Sequence, residues 1–369
     1  MPGKLNYKIG RRSFIKDAAG LGLVLPALSF PQENRYYSAV PNKILTAEKG
    51  AQRLTLDKLR AWESMEYGMF IHFGMSTFDG DELSKGDKPS AQYNPERLDV
   101  DQWIRTARDA GMKYAILTAK HVSGHCLWPS AFTDYHVGTS SVKTDVVGAF
   151  VEACKKYGIR HGFYYCSWDN HNLFGSMTPT LSGWENAFTT REYREFQMNQ
   201  VAELIRNYGP VMEMWIDIPG VLGADGRREQ YKQIASLSPE TVIMMNSGFG
   251  DGSQLKYNYA WPTDLMAIER WLPSSNKGYN PWFSISEKIG EPEQFYIPGE
   301  VCDPIGYEWF HVDDDPLRSD DELLGMRLIC KARKTNLLLN VPPDKSGNIP
   351  QSSVESLLRL RENYENIRQ

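Results

Sequence analysis

One carboxylate in this sequence stands where a barrel enzyme carries a catalytic group. Residues 211–220 form an apolar run that ends in Asp217, and Pro219 and Gly220 then break the chain. Such a run is typical of a buried strand in a parallel sheet, and barrel enzymes carry their catalytic residues at the C-terminal ends of such strands. The alternative interpretation is that Asp217 only caps the turn that follows.

Polar and aromatic side chains also end several other apolar runs of the chain. If these runs are strands of one barrel, their ends meet at a single pocket. Two carboxylates there can act as nucleophile and general acid/base, and a neutral imidazole can donate to one sugar hydroxyl and accept from another. The pattern favours a sugar site over a phosphate or hydride site. The residues at the run ends are His72, His121, Trp168, Asp169, Asp217, Asn246, Glu269, Glu300 and Asn340.

A zinc site is the competing interpretation of the same side chains. Histidine and aspartate both bind zinc, and His121 and His125 lie four residues apart. However, Gly124 and Pro129 predict a loop here rather than a helix. The sequence also lacks two histidines separated by one residue, the arrangement that places both on one face of a barrel strand. The residues that this interpretation would use are His72, His121, His125 and Asp217.

The elements that must position these groups alternate along the chain. Strand-like runs are separated by amphipathic helical stretches, which predicts a parallel sheet. Eight such units in roughly 300 residues favour one (β/α)8 TIM-like barrel. A doubly wound open sheet would carry a Gly-rich phosphate loop after its first strand, and residues 74–78 have no such fingerprint. The predicted strands are residues 67–74, 113–120, 160–167, 211–220, 241–246, 265–271, 294–302 and 335–343.

Capping residues mark the predicted helices between these strands. Asp99 and Asp145 are predicted N-caps, and Gly111 and Gly158 are predicted to end the same two helices. Thr189 or Thr190 is predicted to begin the helix before the 211–220 run, and Ser319 the helix before the last strand.

The N-terminus differs in composition from the rest of the chain. A twin arginine, Arg11-Arg12, precedes a short apolar run over residues 18–30. This run is too short to cross a bilayer core of ~30 Å as a helix. A basic region before a short apolar region predicts an export signal, and the twin arginine resembles a Tat signal. The alternative is an amphipathic N-terminal helix of the mature fold.

These observations predict the domain organisation and the location of the protein. We expect residues 1–30 to be a Tat-type export signal, residues 31–60 a lead-in, and residues 61–369 a single catalytic domain. We therefore expect a periplasmic or secreted protein without a stable membrane anchor.

Composition narrows the functional classes. The net charge is −5, and no block of Lys or Arg follows the N-terminal segment, so we expect no nucleic-acid partner. Ten Trp and nineteen Tyr offer flat apolar faces with a polar end, which suit sugar rings. The five Cys include no C-x-x-C motif and read as small buried residues. We predict no disulfide, although an oxidising compartment would permit one.

Six short motifs stand out along the chain. The first is YGMFIHFG at residues 67–74, and the second is AGMKYAILTAKH at residues 110–121. The later ones are GHCLWPS at 124–130, GFYY at 162–165, MWID at 214–217 and NLLLNVPPD at 336–344. In sequence and in order, these motifs resemble those of glycoside hydrolase family 29, the α-L-fucosidases. The resemblance extends over residues ~60 to ~365.

The resemblance implies a fold, an activity and a mechanism. It implies an exo-acting, retaining α-L-fucosidase on a (β/α)8 barrel that uses no metal and no other cofactor. Its substrate would be a fucosylated oligosaccharide or glycoconjugate. Asp217 matches the nucleophile, and a second carboxyl about 5–5.5 Å away would be the acid/base. Glu269 is our first choice for that carboxyl, Glu300 the second and Asp264 the third.

The resemblance also implies the residues that hold the sugar. His72 and His121 match positions that contact hydroxyls, Trp215 matches an aromatic wall, and Tyr165 matches an aromatic residue near the nucleophile. Further expected contacts are His125, Trp168 at a strand end, and Arg270, which would otherwise form a structural ion pair.

The sequence departs from the family pattern in one motif. The family's Lys-His-His-Asp-Gly-Phe reads here as residues 120–125, with Val122 and Ser123 in place of the second His and the Asp. A changed hydroxyl contact redirects substrate choice, so an L-galactoside or a branched fucoside is an alternative substrate. A non-catalytic glycan-binding barrel is an alternative from another functional class. We also expect the C-terminal β-sandwich common in the family to be absent.

Overall fold

A computed structural model describes residues 36–38, 50–172, 189–274, 280–288 and 291–368 of this chain. In chain order its strands are β1 (Tyr36–Ser38), β2 (Tyr67–Ile71), β3 (Tyr114–Lys120), β4 (Arg160–Cys166), β5 (Glu213–Asp217), β6 (Val242–Met245), β7 (Gln254–Lys256), β8 (Met266–Glu269), β9 (Trp282–Lys288), β10 (Glu291–Tyr296), β11 (Gly299–Pro304) and β12 (Asn336–Asn340). Eight of them form one parallel sheet in the spatial order β6-β5-β4-β3-β2-β12-β11-β8. This confirms the predicted barrel.

The two end strands of this sheet, β6 and β8, are joined through the residues that lead into β8. The backbone N–H of Asp264 donates to the carbonyl of Ile243 at 2.8 Å, and the Ile243 N–H donates back to the Asp264 carboxylate at 2.9 Å. The N–H of Met245 donates to the hydroxyl of Thr263 at 3.0 Å. Asp264 therefore joins β6 to the chain that leads into β8, where the barrel closes. This structural role argues against its use as the acid/base.

Side chains alternate along β5 between the inside and the outside of the barrel. Met214 and Ile216 join the apolar layer between strands and helices. Trp215 joins the apolar cluster inside the barrel instead. Because side chains two residues apart share a face of a strand, Glu213 and Asp217 point inward with Trp215.

Helix ends follow the predicted caps. The side chain of Asp99 accepts from the N–H of Gln102, and Gly158 ends its helix in the left-handed conformation. Ser319 forms a capping box with Glu322. Within the described residues, no helix is both long and apolar enough to span a membrane. The helices are Leu56–Glu63, Met75–Asp79, Val100–Asp109, Val146–Tyr157, Arg191–Tyr208, Gly223–Leu237, Tyr257–Ala260, Asp320–Ala332 and Gln351–Arg368.

One predicted strand is wrong in its bounds. Residues 294–302 belong to two strands: β10 pairs antiparallel with β9, and the barrel strand β11 begins only at Gly299. Pro298 lies between them and has no N–H to continue a ladder, while its carbonyl accepts from Met266.

The helix Leu56–Glu63 lies across the predicted boundary at residue 60. Its Leu59 and Trp62 are buried inside the barrel cluster. The Trp62 indole N–H donates to the carboxyl of Glu213, the first residue of β5, at 2.8 Å. This helix therefore covers the N-terminal end of the barrel.

Candidate active site

A small cavity opens between the C-terminal ends of the barrel strands. It encloses about 250 Å³ of empty space, part of it open to solvent. The lining residues are Phe70, His72, Glu82, His121, Tyr164, Trp215, Asp217, Asn246, Glu269, Cys302 and Trp309.

Asp217 lies at the end of β5, as predicted, and both of its carboxylate oxygens accept hydrogen bonds. The Tyr164 hydroxyl donates to Oδ2 at 2.7 Å. The Asn246 side-chain amide donates to Oδ1 at 2.7 Å. These two donors fix the plane of the carboxylate in the cavity wall. The side chain is therefore held in one orientation at a site that a small ligand can reach.

Asn246 also connects Asp217 to a second carboxyl. The same Nδ2 atom donates to Oε2 of Glu269 at 2.9 Å. Because one nitrogen lies 2.7 Å from one oxygen and 2.9 Å from the other, those oxygens are separated by at most their sum, 5.6 Å. The Gly248 N–H donates to Oδ1 of Asn246, which fixes the amide with its NH₂ group toward the two carboxyls. This upper limit lies below the ~6.5–9.5 Å of inverting glycosidases and is compatible with the ~5–5.5 Å of retaining ones.

The backbone turns sharply immediately after each of these carboxyls. Ile218 follows Asp217 with φ of 50°, and Arg270 follows Glu269 with φ of 61°. Residues with a side chain rarely adopt this left-handed conformation, least of all a β-branched one. Such strain persists only where the surrounding structure holds it, and it is concentrated at functional sites.

The two histidines that line the cavity lie on neighbouring strand ends. Their ring centroids are 5.8 Å apart. Nδ1 of His72 lies 2.8 Å from Oδ1 of Asn340, whose NH₂ group donates to the carbonyl of Trp309. Asn340 Oδ1 is thus the acceptor, so Nδ1 of His72 carries the proton. In a neutral ring Nε2 is then the accepting nitrogen, and it lies on the side away from Asn340.

Aromatic rings form the rest of the cavity wall. Trp215 stacks on Tyr164 with centroids 5.4 Å apart, and Phe70 lies 5.4 Å from Trp215. Trp309 packs beside His72 at 5.0 Å. A flat apolar wall beside imidazole and carboxylate groups suits a ring that has one apolar face and several hydroxyls.

The choice of Tyr165 as the aromatic residue near the nucleophile is wrong. Tyr165 points out of the barrel, where its hydroxyl donates to Gln200 at 2.8 Å. Tyr164 is the residue that meets Asp217, because the pairing of β4 with β5 sets Tyr164 beside Trp215 and Cys166 beside Asp217. Neighbouring residues on parallel strands share a face, so this register decides which of the two tyrosines points inward.

His125 is also not a cavity residue. Its Nε2 lies within hydrogen-bond distance of the hydroxyls of Ser90 and Ser140, and its ring stacks on Tyr93. Burial lowers the pKa of His125 to about 3, so the ring is neutral.

The described residues contain no group of three His, Cys, Asp or Glu side chains arranged to hold a metal ion.

Glu300 does not line the cavity either, which contradicts its place as runner-up acid/base. It is the second residue of β11, so it lies low in the barrel, whereas Cys302 on the same face reaches the cavity. Its two oxygens accept from the Tyr114 hydroxyl at 2.6 Å and from the Trp215 indole at 3.1 Å.

Trp168 and Arg270 lie near the cavity but are not among its lining residues. Trp168 packs in the barrel cluster, and its indole donates to Asn170 at 2.6 Å. The Arg270 guanidinium lies 4.8 Å from the Trp309 ring centroid and pairs with Asp303 at 3.4 Å. Arg270 therefore supports the back of the Trp309 wall through a structural ion pair.

Sequence reasoning missed several cavity residues. Glu82 comes from the polar loop after β2, and Trp309 comes from the loop after β11. Neither loop has a periodic pattern that indicates where a side chain points. Tyr164 lies on a predicted strand, but only the register of β4 against β5 shows that it, and not Tyr165, points inward.

Comparison with known proteins identifies the family of this barrel. The family model for alpha-L-fucosidase matches residues 80–363. Alpha-L-fucosidase 1 of Arabidopsis thaliana is 31% identical over 318 residues, which are 82% of this chain and 58% of that protein. This chain therefore spans less than two thirds of the length of that relative.

Solved structures agree with this comparison. A glycoside hydrolase 29 family member from an unknown rumen bacterium has a TM-score of 0.66 and 28% identity, covering 83% of this chain and 56% of its own. Alpha-L-fucosidase isoenzyme 1 from Paenibacillus thiaminolyticus has a TM-score of 0.67 and 25% identity, covering 84% of this chain and 75% of its own. This chain belongs to the alpha-L-fucosidase family, glycoside hydrolase family 29.

Proposed function

We propose that this protein is an exo-acting, retaining α-L-fucosidase that removes terminal α-L-fucosyl residues from glycans. The observation that carries the proposal is the pair of carboxyls, Asp217 and Glu269, joined by the amide of Asn246 at the cavity wall. Their separation, at most 5.6 Å between the bonded oxygens, leaves no room for the intervening water of an inverting enzyme.

In the first step, Asp217 acts as the nucleophile. A carboxylate oxygen of Asp217 forms a bond to the anomeric carbon while the bond from that carbon to the aglycone oxygen breaks. Glu269 gives its proton to the departing oxygen, so the aglycone leaves as a neutral alcohol. The Tyr164 and Asn246 hydrogen bonds hold Asp217 in position for attack.

In the second step, Glu269 acts as a base. It takes a proton from water while the water oxygen attacks the anomeric carbon, and the bond to Asp217 breaks. Fucose leaves with the anomeric configuration of the substrate, and both carboxyls return to their starting states.

The cavity wall supports a fucosyl group as the substrate. His72 and His121 offer imidazole nitrogens to neighbouring hydroxyls. Phe70, Trp215 and Trp309 offer an apolar surface to the methyl group that fucose carries at C5. The cavity is partly open to solvent at the strand ends, so the remaining glycan can lie outside it.

Hydrolysis of an aryl α-L-fucoside tests this proposal. Proton NMR of the first product formed should show the α-anomer of fucose. A 2-deoxy-2-fluoro fucosyl fluoride should inactivate the protein: its anomeric fluoride leaves, and the peptide that contains Asp217 gains the mass of the 2-deoxy-2-fluorofucosyl group. A β-anomer as first product, or a label on another residue, would contradict the proposed mechanism.

The substrate panel must include an α-L-galactoside and branched fucosides. Val122, which departs from the family motif, is buried in the apolar cluster inside the barrel and is not a lining residue of the cavity. This supports fucose as the preferred sugar, since the altered motif does not change the wall directly. Binding of these glycans without turnover of any would favour the glycan-binding alternative.

We also propose that the protein is exported through the Tat pathway. The proposal rests on the sequence over residues 1–30, which lie outside the described residues. Replacing Arg11 and Arg12 with Lys should keep the folded protein in the cytoplasm, and fractionation of the cells measures this. Unchanged export of that variant would contradict the proposal.

A further inference from the structure

A second pair of carboxyls lies deeper in the same barrel. Glu213 on β5 and Glu300 on β11 are both fully buried, with 0% of each side chain exposed. Neither is a lining residue of the cavity, and neither has a part in the proposed reaction. Buried carboxyls of this kind are costly unless they are protonated or well hydrogen-bonded, so their presence requires a physical explanation.

Three donors from three elements serve this pair. The Trp62 indole donates to Oε2 of Glu213, the Tyr114 hydroxyl donates to Oε1 of Glu300 at 2.6 Å, and the Trp215 indole donates to Oε2 of Glu300 at 3.1 Å. Both oxygens of Glu300 thus accept from fixed groups. Oε1 of Glu213 is buried and receives no N–H or O–H donor from the described residues.

The pair has no cation to balance its charge. Among the described residues, no Lys, Arg or His acts on either carboxyl. The titratable groups that face the pair are Tyr114 from β3 and Cys302 from β11, and burial raises the pKa of both, so both are neutral. Two ionised carboxyls without a cation cannot remain together in such an interior.

The surroundings are shaped to fit this pair. A Cβ atom on Gly68 would come within 2.6 Å of the Tyr114 ring, and one on Gly162 within 2.7 Å of the backbone oxygen of Glu213. Glycine on β2 therefore leaves room for the Tyr114 ring that donates to Glu300, and glycine on β4 leaves room for the backbone of β5 at Glu213. The pair thus belongs to a specifically packed layer of the barrel.

This layer touches the cavity through one ring. Trp215 donates its N–H downward to Glu300, and its ring stacks on Tyr164, which in turn donates to Asp217. Since Glu213, Trp215 and Asp217 are alternate residues of β5, the rigid strand fixes their relative heights. A shift of the Trp215 ring would move the cavity wall and the donor to Asp217 together.

We propose that Glu213 and Glu300 are positioning residues that hold at least one proton between them, and that Glu300 fixes the indole of Trp215 beneath the cavity. Glu213 carries the proton on Oε1 and donates it toward Glu300, the acceptor for Tyr114 and Trp215. Burial and the nearby charge of Glu300 raise the pKa of Glu213 well above its usual range. Burial also raises the pKa of Glu300, to about 7, against the opposing effect of the hydrogen bonds from Tyr114, Glu213 and Trp215.

Fluorine NMR on protein labelled with 5-fluorotryptophan tests the inference without any need for turnover. The Trp215 resonance is assigned by its loss in Trp215→Phe. It should shift with pH between 5 and 8.5 in the wild type, and the shift should disappear in Glu300→Gln. The Glu213→Gln variant mimics a protonated acid at residue 213. When both proteins are measured at low pH, the Trp215 resonance of this variant should have the same position as in the wild type. A Trp215 resonance that ignores pH, or that titrates unchanged in Glu300→Gln, would overturn the inference.

A kinetic measurement adds the functional part, which rests on the proposed fucosidase activity. Glu300→Gln should raise KM for an aryl α-L-fucoside roughly threefold to tenfold, the range expected for one hydrogen bond, while kcat changes less. Glu213→Gln should leave KM within about twofold of the wild type. Equal losses in both variants would overturn the assigned roles. No turnover by the wild type would defeat the proposed function but leave the NMR test intact, and Glu213→Gln covers the case in which Glu300→Gln does not fold.

Discussion

The barrel contains two carboxyl pairs that share one strand and differ in height. Asp217 and Glu269 lie at the C-terminal strand ends, and both line the cavity. Glu213 and Glu300 lie lower, out of contact with the cavity. The upper pair is separated by an amide that donates to both members, whereas the lower pair lies together without a cation. Height along the strand therefore decides whether a carboxyl reaches the cavity or packs in the layer beneath it.

The largest expected difference in kcat/KM between the two pairs is that between their members on β5. We expect Asp217→Asn to lower kcat/KM at least about 1,000-fold, since loss of a nucleophile removes the covalent step. Glu213→Gln, four residues away on the same strand face, should retain most of the activity. The measurement is kcat/KM on an aryl α-L-fucoside for both variants. A comparable loss in Glu213→Gln would mean that the two pairs are not functionally distinct.

The partners on β8 and β11 provide the next comparison. Glu269→Ala should slow natural fucosylated glycans by about 100-fold or more, the usual range of general acid catalysis. It should slow activated aryl fucosides less, because a good leaving group needs little protonation. Added azide should restore aryl fucoside cleavage in Glu269→Ala and not in Glu300→Ala. The reverse pattern would move the acid/base role to Glu300.

The lower pair should make stability depend on pH. Both of its carboxyls have a raised pKa when folded: burial raises that of Glu300 from the ordinary 4.5 to about 7, and burial with the nearby charge of Glu300 raises that of Glu213 well above 4.5. The folded chain then binds more protons than the unfolded chain above pH 4.5, so this stabilisation is complete below that pH and is lost as the pH rises through 7. Each such proton changes the unfolding free energy by about 1.4 kcal/mol per pH unit.

Urea unfolding at pH 5, 6 and 7 measures this dependence. Other buried carboxyls with raised pKa, such as Asp303, contribute to the wild-type slope. The comparison is therefore between the wild type and Glu213→Gln, whose slope should be smaller. Parallel slopes would show that Glu213 does not hold a proton in the folded state.

The smallest expected effect on kcat/KM comes from the adjacent tyrosines of β4. Tyr164→Phe removes a hydrogen bond to Asp217 and should lower kcat/KM roughly tenfold. Tyr165→Phe removes a bond to Gln200 outside the barrel and should cost about 1 kcal/mol of stability with unchanged kcat/KM. Kinetics and thermal unfolding of both variants check this. A kinetic defect in Tyr165→Phe alone would contradict the assignment of Tyr164, and not Tyr165, to the cavity.

The same comparison explains what sequence reasoning reached. Local patterns predicted the barrel strands and the position of Asp217 at a strand end. They also predicted the cap residues Asp99, Asp145 and Ser319, because capping and apolar runs are local properties. Glu300 was misjudged because the predicted strand over residues 294–302 put it near a strand end. The true strand, Gly299–Pro304, makes it the second residue.

Register and loops were beyond the reach of local patterns. Choosing Tyr164 over Tyr165 requires the pairing of β4 with β5, and β3 and β4 shift register between Thr118 and Lys120. His125 was misplaced because the contacts that hold it, Ser90 and Ser140, come from distant loops. Such contacts depend on tertiary packing and not on spacing along the chain.

The five buried cysteines can report motions of this barrel through their rates of labelling. All five are free and buried, and burial raises the pKa of each, to about 12 for Cys330. Because the thiolate is the form that reacts, labelling reagents report how often the chain opens. Cys302 lines the cavity, so a bound sugar should shield it directly, whereas the other four thiols should respond only to opening of the packed layers around them.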